Sequence, residues 1–216
     1  MASRVLGFHF DYLSPYGYLA WHRLHGLTEQ YDLRVEVKPT LFAALLNHFG
    51  HKGPAEIPPK RIYMFKDSFR AAAQLGLPFV PPFSHPFNPL ASLRATLLDM
   101  DDDTRARIVT DLFDATWAQG RDVGSAEVVA EVCADAGVPD AFERIREPAI
   151  KQRLRDASQQ AIEVGVFGVP TMVVEGELFW GTDSLAHLER FLAGKDPVRP
   201  EDVESWLAVP GTAQRE

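Results

Sequence analysis

Cysteine is all but missing from this 216-residue chain, where Cys133 stands alone. A single thiol forms no intramolecular disulfide, and it excludes both a cysteine-rich zinc site and a Cys-x-x-Cys redox pair. Positive charge is also short: 22 Lys plus Arg face 30 Asp plus Glu, a net charge of −8. That balance leaves no electrostatic footprint for nucleic acid or for an anionic membrane surface, although a local basic pocket can still hold a small anion. No apolar run approaches the ~20 residues that span a bilayer. The stretch from Ala2 to Ala20 is apolar, but His9 and Asp11 interrupt it and no basic run precedes it, unlike a secretory signal. These absences make a soluble cytoplasmic protein the expectation. Apolar residues are plentiful, at 46%. A chain of this size buries about 70% of its unfolded surface and needs no covalent staples.

The first forty residues read as strand, helix, strand. Val5, Leu6, Phe8 and Phe10 form an apolar run that stops at Asp11. Ser14-Pro15 then supplies a favoured N-cap and a favoured first helical residue. Tyr16, Leu19, Ala20, Leu24, Leu27 and Tyr31 recur at helical spacing. Leu33, Val35 and Val37 alternate with Arg34, Glu36 and Lys38 up to Pro39, a strand with one polar face.

The middle reads as helices. Thr40–Phe49 is a short one, Gly50–Pro59 a loop, and Lys60–Leu75 a longer helix closed by Gly76. Five prolines from Pro78 to Pro89 forbid regular structure there. Helical patterns resume at Leu90–Met100, Thr104–Ala118, Ser125–Ala136, Asp140–Arg146 and Pro148–Val164. The end returns to strands: Thr171–Glu175 and Glu177–Trp180 read as a hairpin turning at Gly176. A helix follows from Ser184 to Leu192, with Thr182 or Asp183 expected as its cap. Beyond Pro197 the pattern predicts one short amphipathic turn at Val203–Leu207 and disordered last residues.

This order is that of an α/β thioredoxin fold with a large all-helical insertion. The thioredoxin-like part is discontinuous, 1–39 and 149–196, with the insertion at 40–148 and a tail at 197–216. Neither terminal piece alone has enough strands to bury a sheet face, so both must build one sheet.

Three segments carry a resemblance: Asp11-Tyr-Leu-Ser-Pro-Tyr-Gly-Tyr-Leu-Ala20, Asn88-Pro-Leu-Ala-Ser-Leu-Arg-Ala95, and Phe167-Gly-Val-Pro-Thr-Met-Val-Val-Glu-Gly-Glu-Leu-Phe-Trp-Gly-Thr-Asp183. In this order they resemble the 2-hydroxychromene-2-carboxylate isomerase family, relatives of kappa-class glutathione transferases and DsbA-like oxidoreductases. Where the oxidoreductases carry a nucleophilic cysteine, this chain has Ser14. The resemblance implies glutathione as cofactor, with Ser14 as the catalytic residue donating a hydrogen bond that favours the thiolate. It implies that Val169, before a cis Pro170, pairs its backbone with the cysteinyl part, and that Thr182 and Asp183 hold the γ-glutamyl end. Lys60 and Asn47 are implied to hold the rest of the tripeptide, the lysine at its glycyl carboxylate. Tyr16 and Asn88 fall on the side of a small aromatic substrate, Asn88 reading also as a helix-capping residue, while Arg94 reads as structural. Many such sequences continue with arginine after the aspartate, where this one has Ser184. The implied reaction opens the chromene ring by thiolate addition, rotates a bond and eliminates glutathione to leave a trans-alkenyl pyruvate; the implied assembly is a homodimer.

Local sequence leaves plainer readings beside these: Ser14 as a cap only, Pro170 as an ordinary pre-strand proline, Lys60 as a solvated lysine. A glutathione transferase or peroxidase would share the same site, and a non-catalytic thioredoxin-like binder would share the fold. His22-x-x-His25 and His48-x-x-His51 have spacings a metal accepts, but no third ligand lies nearby, and no metal is expected. No Gly-x-Ser-x-Gly elbow, dinucleotide fingerprint or phosphate loop occurs.

Overall fold

The computed structural model describes residues 4–211. Strand β1 (Arg4–Phe10) leads into helix α1 (Pro15–Tyr31) and strand β2 (Leu33–Pro39). A helical block follows: α2 (Phe42–Phe49), α3 (Pro58–Leu75), α4 (Leu90–Thr96), α5 (Asp102–Trp117), α6 (Ala126–Asp135), α7 (Ala141–Arg144) and α8 (Pro148–Glu163). Strands β3 (Thr171–Val174) and β4 (Glu177–Trp180) and helices α9 (Leu185–Leu192) and α10 (Pro200–Leu207) complete the chain. The sheet order is β2-β1-β3-β4, with β1 parallel to β2 and antiparallel to β3, and β4 antiparallel to β3. This is an α/β thioredoxin fold with a helical insertion between β2 and β3.

Strand β1 is central and correspondingly apolar, with Leu6, Phe8 and Phe10 fully buried. Edge strand β2 carries an exposed charge row in which Glu36 meets both Arg34 and Lys38. One continuous core joins the sheet to the insertion. Phe10 and Tyr12 pack against Phe113 of α5, with ring centroids 5.4 and 4.8 Å apart.

Several elements differ from the sequence pattern. Helix α3 starts at Pro58, two residues early, because the first-turn prolines lack only N–H groups that no intrahelical acceptor would use. Helix α4 stops at Thr96 instead of reaching Met100, and the Arg105 guanidinium donates to the carbonyls of Thr96, Leu98 and Met100 there. The expected Asp140–Arg146 helix contracts to the single turn of α7. The hairpin turn has two residues, Glu175 and Gly176, both at positive φ (53° and 88°), so β3 ends at Val174. The proposed turn at Val203–Leu207 is the second half of α10, which starts at Pro200 with Arg199 and Asp202 bonded across its first turn. The expected disorder of the last residues concerns 212–216, outside the described residues.

Candidate active site

Sheet register gathers the marked segments. His9 pairs with Thr171, and Thr171 with Trp180, so the end of β1, the start of β3 and the end of β4 lie side by side. Asp11–Ser14 follows the first, Val169-Pro170 precedes the second and Gly181–Asp183 follows the third. The Gly181 N–H donates to the Pro170 carbonyl at 2.9 Å, tying the last two together. The Val169-Pro170 peptide is cis, as is His85-Pro86, which the sequence pattern did not single out.

Ser14 is 6% exposed. Its Oγ accepts from the Gly17 N–H at 3.2 Å, the capping bond of α1. That bond uses one lone pair, and among the described residues the hydroxyl proton has no acceptor of its own, so capping and donation are compatible. In the Cys-x-x-Cys spacing the two ends are Ser14 and Gly17. Cys133 is buried in α6, and burial pushes its thiol up to about 12, where it is inert.

Three side chains hold the loop that presents Ser14. Asp11, fully buried, accepts from the Leu13 N–H (3.2 Å) through one oxygen and from the Phe42 N–H (2.9 Å) through the other, clamping the loop to the start of α2. Burial, only partly offset by these donors, pushes its carboxyl up to about 7. The Trp117 indole donates to the Tyr12 carbonyl at 2.9 Å. His85 Nε2 lies 3.0 Å from the Leu13 carbonyl, which only accepts, so the proton sits on Nε2 and the buried Nδ1 has no partner. Burial and the nearby Arg61 pull this imidazole below its ordinary range. Neither Trp117 nor His85 lies in a marked segment. The one sequence signal was for Asp11, an acid closing an apolar strand run.

Thr182 and Asp183 do not cap the following helix, contrary to expectation. Ser184 occupies the N-cap position of α9, without a side-chain capping bond, and turns its hydroxyl back to the Gly181 carbonyl at 2.8 Å. Among the described residues, neither the Thr182 hydroxyl nor the Asp183 carboxylate has a hydrogen bond or ion pair, and Asp183 is exposed. Gly181 sits at φ 83°, and a Cβ there would come within 2.5 Å of Asp183 Oδ1, so the carboxylate lies back over a position only glycine serves.

Tyr16 and Lys60 line one cavity of about 400 Å³ together with Pro54, Pro59, Tyr63 and Met64. The Tyr16 hydroxyl donates to Asp67 at 3.0 Å, and burial followed by that carboxylate raises its pKa above the ordinary phenol range. Lys60 is exposed on the first turn of α3 and, among the described residues, unpaired. Asn47, exposed on α2, does not line this cavity. Nor does Asn88, whose Oδ1 accepts from the Leu90 N–H at 3.1 Å just before α4. A larger cavity of about 570 Å³ lies along β2 and the start of α5 and contains none of the expected residues. His22 is engaged by Asp114 at 2.9 Å. No group of three or more metal-ligating side chains is assembled among the described residues, and no helix there is long and apolar enough to cross a membrane.

A serine-headed helix beside a cis-proline loop, on a four-stranded sheet with a helical insertion, defines a thioredoxin-type site without its cysteines. The DsbA-like thioredoxin domain model matches residues 5–193, and the chain belongs to that family. The relatives it resembles include isomerases and kappa-class transferases. It is 31% identical to a 2-hydroxychromene-2-carboxylate isomerase of Sphingobium xenophagum, over 88% of this chain and 98% of the relative. It is 29% identical to a glutathione S-transferase kappa 2 of Caenorhabditis elegans, over 91% and 96%. A solved 2-hydroxychromene-2-carboxylate isomerase superposes with a TM-score of 0.81 at 28% identity, covering 95% of this chain and all of that one.

Proposed function

We propose that the protein is a glutathione-dependent isomerase converting 2-hydroxychromene-2-carboxylate, or a related aromatic-degradation intermediate, to the trans-alkenyl pyruvate. The observation that carries this reading is the pairing, at one end of the sheet, of Ser14 with Thr182 and Asp183: among the described residues the Ser14 hydroxyl proton is unspent and the other two side chains are unpartnered. The donor set suits a zwitterionic tripeptide: Asp183 for the γ-glutamyl ammonium, Thr182 for its carboxylate, and Lys60 for the glycyl carboxylate. The Val169 backbone, held by Pro170, takes the cysteinyl portion, and Asn47 adds an amide. Bound there, glutathione supplies a thiolate nucleophile. Ser14 donates toward that sulfur, and the N-terminal end of α1 favours the negative charge. Tyr16, with Tyr63 and Met64, offers apolar walls for a flat ring, and Asn88, which lies outside that cavity, is carried to the substrate side by the resemblance alone.

Calorimetric titration of reduced glutathione into wild type and Ser14→Ala, with the thiolate absorbance read at pH 7, tests the reading. Saturable binding with a thiolate signal that the variant loses supports it, and turnover of chromene carboxylates then fixes the substrate. No heat and no signal at millimolar glutathione would leave a non-catalytic thioredoxin-like binder. Similarity to a kappa transferase along 91% of the chain favours transfer to an electrophile as the second reading. Stable conjugation of an activated aryl halide, with no chromene turnover, would select it.

A further inference from the structure

Just past the end of β2, on the side of the sheet end where Asp11 is clamped to Phe42, helices α2, α4 and α8 enclose a third cavity of about 320 Å³. Leu90, Leu154 and Ile162 give it apolar walls, and Arg94, Lys151 and Arg155 bring three cations to it with no carboxylate in the lining. That is contrary to the chain as a whole, which is acidic. It is contrary to the neighbouring surface too. Between Lys151 and Arg155 on α8, Arg153 is bonded to Asp99 at 2.6 Å, and Arg144 of α7 pairs with Asp140 at 3.2 Å.

The other polar groups of the cavity are already spent. The Ser158 hydroxyl accepts from the Leu41 N–H and donates to the Leu154 carbonyl, and Gln159 donates to Glu163. Arg155 donates to Gln152 at 3.2 Å, a neutral partner. The Arg94 and Lys151 side chains have no hydrogen bond or ion pair among the described residues, and the Arg94 Nε is buried without an acceptor. Burial, then repulsion from Arg155, lowers the Arg94 pKa. A buried guanidinium N–H without an acceptor carries a desolvation cost that native proteins normally cancel with a partner, a water or an ion.

We infer that this cavity is a second ligand site, separate from the candidate active site, that takes a small organic carboxylate with an apolar body. The carboxylate meets Arg94, and the body lies between Leu90, Leu154 and Ile162. Guanidinium groups suit a carboxylate because they offer paired, planar donors. None of Ser14, Tyr16, Lys60, Val169, Thr182 or Asp183 lines this cavity, so the inference does not depend on the proposed isomerase activity.

The probe is 4-ethylbenzoate, titrated into the full chain by calorimetry and by amide chemical-shift mapping, with the uncharged 4-ethylbenzamide as control. Saturable binding is expected at up to millimolar concentration, with shifts centred on α4 and α8, and at least tenfold weaker binding of the amide. Arg94→Met is expected to weaken the benzoate at least tenfold. Arg155→Met and Lys151→Ala, each weakening it several-fold, keep the test valid if the Arg94 variant folds poorly. No saturation by 10 mM, equal binding of the amide, or unchanged affinity in all three variants would overturn the inference. Displacement by saturating glutathione, or loss in Ser14→Ala, would place the probe in the active site and overturn it equally.

Discussion

His9, at the end of β1, and Asp11, just beyond it, are perturbed in opposite senses, which makes the pH dependence of stability a sharp test of the loop that presents Ser14. Burial lifts the Asp11 carboxyl from an ordinary 3.8 to about 7. Burial, and then the Lys38 charge, lowers His9 from 6.5 to about 4. Between pH 4 and 7 the folded chain keeps a proton on Asp11 that the unfolded chain has released, so this group's contribution falls as pH rises. At 1.36 kcal/mol per pH unit the loss is about 4 kcal/mol, complete above pH 7. Between pH 4 and 6.5 the unfolded chain holds a proton on His9 that the folded chain excludes, so that contribution rises with pH, by about 3 kcal/mol.

In the wild type the two slopes nearly cancel from pH 4 to 6.5, and single variants should expose them. Asp11→Asn abolishes one titration. Both Asp11 oxygens accept backbone N–H groups, and an amide has only one acceptor oxygen, so a fixed cost of about 1–3 kcal/mol is also expected from one unsatisfied donor. The variant should therefore be most destabilised near pH 4 and recover by about 4 kcal/mol relative to wild type by pH 8. His9→Gln keeps a donor for Thr40, whose own hydroxyl proton goes to the Lys38 carbonyl. Its deficit relative to wild type should grow from pH 4 to 6.5. Urea unfolding of all three proteins at pH 4 through 8, read as differences from wild type, gives the curves. An Asp11→Asn profile parallel to wild type would refute the buried, neutral Asp11.

Further outcomes follow from the same geometry. Asp183→Asn removes a carboxylate with no internal partner, so the melting temperature should hold within a degree or two while glutathione affinity falls at least tenfold by calorimetry; a stability loss without an affinity loss would contradict the assignment. Trp117→Phe leaves the buried Tyr12 carbonyl without its donor, and chemical denaturation should show a cost of about 1–3 kcal/mol, together with a lower thiolate fraction if the loop shifts Ser14. Lys60→Met should weaken glutathione several-fold and flatten the salt dependence of its binding, with little change in folding, because the lysine is exposed and has no partner among the described residues.

What was legible in the sequence is what neighbours in the chain decide. The apolar run of β1, the Ser14-Pro15 start of α1, the hairpin and the cis proline all lie within a few residues of their own signals. The order of elements then implied the fold. The Thr182-Asp183 cap failed for a local reason, because two serine-like candidates compete within three residues and Ser184 takes the position. Asn88 carried two readings in its motif, and only the structure supplies the 3.1 Å bond from the Leu90 N–H.

The supports of the loop were illegible because their partners are far apart in sequence. Phe42 reaches Asp11 across 31 residues, His85 reaches Leu13 across 72, and Trp117 reaches Tyr12 across 105. No periodicity records such pairings, and each side chain taken alone looks like ordinary core. Their common target is nevertheless informative. The loop between β1 and α1 has two successive carbonyls, those of Tyr12 and Leu13, that enter neither the sheet nor the helix, and both are met by ring N–H groups from the helical insertion. An unmet buried carbonyl is costly, so the insertion does more than cover the sheet: it fixes the path of the chain immediately before Ser14. Changes in α5 or in the proline-rich segment should therefore reach the hydroxyl of Ser14 through these two bonds, although neither segment contains a residue expected to touch glutathione.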